Sequence, residues 1–164
     1  MRRAPLTDSL TVHRRSAAGC VASLDHFVLL RCYGAMDRPD LLATLDAFAV
    51  ASRARPNAIS SLTVIDPSTE FPTEDARRVC IQLIEQTHES VRAGATVVLG
   101  DGFWASALRS VLTTFNAIGG RRRSARTFGD LGEAVPWLLD TGGDARATYE
   151  VALLDALESM RPAT

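Results

Sequence analysis

Four short β-like runs, each followed by a segment whose apolar residues recur at three and four, restrict this chain more than any other feature. The runs are Phe27–Tyr33, Ala58–Asp66, Ala95–Leu99 and Ser124–Phe128. A strand that leads through a helix into another strand of the same sheet implies a parallel pair joined by a right-handed crossover. The run Phe27–Tyr33 is nearly continuous in apolar residues, as expected where both faces of a sheet are covered. The expected fold is α/β: a single domain with a mixed, mostly parallel sheet of four to five strands, about four packed helices, and one extra C-terminal helix. At 164 residues the chain has the length of one such domain, enough to bury a core.

The punctuation between runs supports this order. Residues 1–9 are polar and read as a frayed N-terminus. Leu10–Arg14 alternates like an edge strand, Ser16–Gly19 reads as a turn, and Cys20–Leu24 as a second short strand. Asp37 with Pro39 opens a helix with the face Leu41, Leu42, Leu45, Phe48 and Ala49. Pro56-Asn57 ends it and Pro67 stops the next strand. Thr73, with Glu74 and Asp75, caps a second helix through Ala76, Val79, Cys80, Leu83, Ile84, Thr87 and Val91, closed by Gly94. Gly100-Asp101-Gly102 turns into a third helix, Phe103 to Ile118, which Gly119-Gly120 terminates. Asp130-Leu131-Gly132-Glu133 resembles a capping box, and Pro136 predicts a short or kinked fourth helix. Thr141-Gly142-Gly143 reads as a hinge before a last helix from Asp144 to Met160, and residues 161–164 as a tail. The domain is thus expected over 10–140, with 141–160 as an addition.

Composition narrows the chemistry. The apolar fraction of 46% and charged fraction of 23% are those of a globular protein. A net charge of −1 argues against a nucleic-acid or anionic-membrane binder, both of which need a basic face. Arg121-Arg122-Arg123 with Arg126 is the one basic cluster and reads as a solvated loop. No apolar run approaches the roughly 20 residues of a membrane span. Asp8 and Ser9 stand where a leader's apolar segment would follow Met1-Arg2-Arg3, so a cytoplasmic location is expected. All 18 basic residues are arginine. Phosphate-loop, Schiff-base and Ser-x-x-Lys chemistries are therefore excluded, since each needs lysine. Cys20, Cys32 and Cys80, like His13, His26 and His88, lack disulfide or metal-ligand spacing and read as isolated side chains. No cofactor motif, metal set or nucleophile elbow is present, so an enzyme is not expected.

The segments Phe27–Gly34, Leu62–Asp66, Ala107–Leu112 and Phe128–Leu138 together resemble the STAS family, named for sulfate transporters and anti-sigma-factor antagonists. The likeness covers roughly residues 10–140 and is nearest to the divergent STAS-like proteins of GC-rich bacteria. The resemblance implies a regulatory module working through protein contacts. It also implies a phosphorylatable serine in an Asp-Ser-Ser-Gly turn after the central strand. Here that turn is Asp66-Pro67-Ser68-Thr69-Glu70, with two prolines nearby and no glycine. A phosphate on Ser68, Thr69 or Thr73 would gain from the helix N-terminus but meet Asp66, Glu70, Glu74 and Asp75.

Three candidate surfaces follow. The first is the loop Asp66, Ser68, Thr69, Phe71 and Thr73, as a partner-binding or phosphorylation loop. The second is a ligand crevice at the strand C-termini marked by Gly100, Asp101 and Gly102, for a nucleotide, lipid or organic anion. The third is an interaction surface of Trp104 with Tyr149, Leu153 and Leu157, where the last helix packs on its own domain, on a second copy of the chain, or on a protein partner. The leading reading is a non-enzymatic regulatory or scaffolding module. A small-molecule binding domain or minor enzyme is the alternative.

Overall fold

The computed structural model describes residues 9–67, 69–118 and 124–163. Ser68, Gly119–Arg123 and residues 1–8, on which several expectations fall, lie outside them.

The chain forms β1 (Thr11–Arg15), β2 (Gly19–Leu24), β3 (Phe27–Cys32), α1 (Arg38–Ala54), β4 (Ile59–Ile65) and α2 (Glu74–Thr87). It continues with β5 (Val91–Val98), α3 (Gly102–Ile118), β6 (Ser124–Phe128), α4 (Leu131–Gly142) and α5 (Arg146–Ser159). The strands make one sheet in the order β1-β2-β3-β4-β5-β6. The first three are antiparallel and β3 to β6 are parallel. Six strands replace the four to five expected, because both N-terminal segments pair.

Spatial order equals chain order, so right-handed crossovers place α1, α2 and α3 on the same side of the sheet. The other side is left to α4 and α5. Its core joins Phe27, Leu29, Leu62, Val64, Ala95 and Val97 of the strands to Leu138, Leu139, Leu153 and Leu157. On the three-helix side, Ala43, Ala47 and Ala51 of α1 meet Val21, Val28 and Ile59. These small residues turn α1 so that Leu42 faces solvent, against the expected stripe.

Local chemistry sets the ends. Asp37 and Asp40 form a reciprocal capping box at α1, with Asp40 N–H donating to Asp37 Oδ1 at 3.0 Å. At α4, Asp130 accepts from the Glu133 N–H at 2.9 Å, and the helix runs on through Pro136. The expected hinge is absent: Thr141 and Gly142 belong to α4, and Gly143 closes it at φ 76°. Asp144 N–H then donates to Leu139 O at 2.8 Å, a tight C-terminal cap rather than a swivel. The second helix also ends earlier than its periodicity predicts. Val91 and Gly94 lie in β5, where a β-branched residue and a small one pair with Ile59 and Ser61.

Candidate functional site

A strand covered on both faces should be apolar throughout, and the central strands here are not. Register places Ser61 beside Gly94, and Leu30 and Thr96 on either side of Thr63, all on the three-helix side of the sheet. Three hydroxyls and a glycine thus occupy the middle of that face. The helix above them stands away: α2 packs chiefly on α1 and α3 rather than on the strands. Its inner residues Ala76, Val79 and Leu83 meet Leu41 and Leu45 of α1. Between α2 and the sheet lies a cavity of about 240 Å³.

Aliphatic groups (Leu30, Ile65, Leu83, Leu108) and the ring of Phe48 dominate its wall. Among the described residues the wall includes one acid, Glu70, and no basic residue. Several polar groups near it are already committed: Thr87 Oγ1 donates to Leu83 O at 2.7 Å, and Thr44 Oγ1 to Leu41 O. The cavity therefore offers a low-dielectric space with a few neutral hydroxyls, which suits an uncharged, mostly apolar molecule.

The loop singled out as a partner or phosphorylation site forms the lip of this cavity, through Thr69, Glu70, Pro72 and Thr73. Thr69 Oγ1 donates to Cys32 O at 2.8 Å, and Thr73 caps α2 by accepting from Ala76 N–H at 3.1 Å. Phe71 is 46% exposed, with its ring 6.4 Å from that of Trp104. Asp66 is not free for a partner. Arg31 grips it at 2.8 and 3.2 Å and donates also to Leu157 O at 2.9 Å.

The crevice at Gly100-Asp101-Gly102 carries two left-handed glycines, at φ 93° and 88°. Asp101 is exposed, and Arg109 reaches back across the strand ends, donating to Val98 O at 3.1 Å and Gly100 O at 3.3 Å.

At the third surface the last helix packs on its own domain, the first of the three alternatives. Leu153 and Leu157 are fully buried against the sheet, and Tyr149 packs on Phe27 with its hydroxyl donating to Asp25 at 2.7 Å. Trp104 is half-buried beside Ile65, Val98 and Leu108. Phe103 instead is 89% exposed. The apolar stripe of α5 is buried within its own domain.

One polar group escaped the sequence reading. His26 Nε2 lies 3.0 Å from Asp144 Oδ1, which also binds Arg55 at 2.6 Å, and Ser60 is buried close by. Serine, histidine and aspartate are the types used in nucleophilic catalysis, but here His26 and Ser60 are wholly buried. Their contacts join the β2–β3 turn, the start of β4 and the α4–α5 junction. Cys20, Cys32 and Cys80 remain free thiols. Burial raises all three, Cys32 to about 12 with added repulsion from Cys80. Among the described residues no three His, Cys, Asp or Glu side chains gather as metal ligands, and no helix is long and apolar enough to cross a membrane.

A sequential mixed sheet with three crossover helices on one side and two helices on the other defines an α/β fold. Specifically, the fold is SpoIIAA-like. The structure of an uncharacterized protein from the DUF3478 family with a SpoIIAA-like fold, from Shewanella loihica PV-4, matches with a TM-score of 0.51. The two chains are 15% identical, and the match covers 79% of this chain and 91% of the other. No family model matches the chain, and no curated protein does.

The cavity was foreshadowed by Ser61, Thr63 and Thr96, hydroxyls at every second position in strands expected to be buried on both faces. Their common side emerges only from the pairing register.

Proposed function

We propose that this chain is a non-enzymatic STAS-like module that takes a small, neutral, largely apolar molecule between α2 and the sheet. The observation that carries the reading is the cavity of about 240 Å³ whose wall, among the described residues, holds no base and one acid. Nucleotides and organic anions fit poorly, because such a wall repels an anion it cannot pair. A lipid-like occupant fits best. The enclosure of Ser60 and His26 supports the non-enzymatic part.

The neutral dye N-phenyl-1-naphthylamine is the direct probe. It should bind saturably at one per chain with a blue-shifted emission and be displaced by 1-decanol. Ala76→Phe, which fills the cavity from α2, should weaken the dye at least about tenfold while the circular dichroism is kept. Unsaturable dye uptake, or equal affinity in Ala76→Phe, rules the reading out.

A regulatory role through protein contact is a second reading, favoured by the exposure of Phe103 beside the Phe71–Trp104 pair at the cavity lip. Changes at the lip on ligand entry would then reach a partner. A partner captured with the native chain should be lost with Phe103→Ser. Equal capture by that variant counts against this surface.

A further inference from the structure

The cavity also holds three sulfur side chains, Cys32, Met36 and Cys80, which the ligand reading does not use. Cys32 ends β3, and its Sγ donates to the Sδ of Met36 at 3.1 Å. Cys80 on α2 lines the same cavity as both of them. Met36 and Cys80 pack on the shared Leu41–Val79 cluster. Two thiols and a thioether, from a strand end, a loop and a helix, thus line one apolar space. Cys20 lies in the core on the other side of the sheet. His13, His26 and His88 are absent from the wall.

We infer that Cys32, Met36 and Cys80 form a binding site for one Cu(I) ion. Hard cations need several oxygen ligands, and Zn(II) prefers four donors, whereas thiolate and thioether sulfur in low coordination number select Cu(I). On binding, the Cys32 S–H bond is replaced by S–Cu and its proton passes to solvent. If Cys80 ligates as a thiolate, a second proton leaves, and no electron is transferred. Because binding releases protons, affinity rises with pH. The inference shares the cavity with the proposed apolar ligand but does not depend on that ligand.

The test is an anaerobic titration of the reduced full chain with Cu(I) against the chelator bathocuproine disulfonate. One equivalent should be withheld, with sulfur-only scattering in the X-ray absorption spectrum and affinity rising about tenfold per pH unit for each proton released. Cys32→Ser and Cys80→Ser should each lose more than about a hundredfold, since even outer-shell losses at metal sites reach 10–100-fold. Met36→Leu should lose less, and Cys20→Ser nothing. Circular dichroism checks folding; if Cys32→Ser fails to fold, Cys80→Ser and Met36→Leu decide. Equal retention by those variants, or a nitrogen and oxygen shell, overturns the site. Dye binding in the same samples separates the two readings. A chain that binds dye but no Cu(I) retires the metal site alone, and one that binds Cu(I) but no dye retires the ligand.

Discussion

Arg31 holds together parts of the chain that are far apart in sequence. It lies 4% exposed on β3, forks onto Asp66 just past β4, and donates a third N–H to the Leu157 carbonyl in the last turn of α5. That carbonyl, which also accepts from the Met160 N–H at 3.3 Å, sits at the negative end of the helix dipole, so a buried cation suits it. Removing one partner leaves the other charge uncompensated. Arg31→Ala should cost about 3–5 kcal/mol in urea unfolding, and the double variant Arg31→Met/Asp66→Leu distinctly less. Asp66 was legible as a strand end but not as a bound carboxylate. Nothing in one sequence pairs it with an arginine 35 positions earlier. Asp40 supplies the pH dependence. Burial pushes its carboxyl up, but Arg14, the Asp37 backbone N–H and the Ser16 hydroxyl outweigh this and hold it below the usual range. A depressed carboxyl contributes stability that is present above its unfolded value of about 3.9 and lost as pH falls through the folded one. Asp40→Asn should therefore be less stable than the native chain at pH 7, with the gap closing below about pH 4. Denaturant midpoints across that range read it.

At the scale of elements, α5 separates what periodicity reveals from what it leaves open. The stripe Tyr149, Leu153, Leu157 and Met160 is plain in the sequence, but a stripe does not name what covers it. The structure covers it with Phe27, Leu29 and α4, while Val151 at 69% and Leu154 at 38% remain exposed. Leu157→Ala should accordingly cost about 2–5 kcal/mol, and Val151→Asp less than about 0.5. Comparable effects in chemical denaturation would mean that α5 does not pack as described. The element order and most strand positions were readable because turn residues bracket each run. The end of α2 was not, because the helical period of Thr87 and Val91 continues past the point where the β5 pairing begins. Tertiary pairing overrides local period there.

For the whole molecule, sequential strand order leaves the two sides of the sheet unequal. The side closed by α4 and α5 is a continuous apolar core, whereas the other is closed at its edges by α1 and α3, with α2 spanning between them. This asymmetry could not be read from the segments one at a time, because it depends on handed connections and register. The hydroxyls of Ser61 and Thr63 were its visible trace.

A helix bridging a hollow has fewer neighbours to hold its backbone in place than one seated on a floor. Amide protons of α2 should therefore exchange with deuterium at least tenfold faster than those of β4 beneath it, a gap of about 1.4 kcal/mol in opening free energy. Any guest that props the span from below will slow that segment selectively. Exchange mass spectrometry can thus screen unidentified extracts for an occupant, reporting its arrival even when nothing about its chemistry is known.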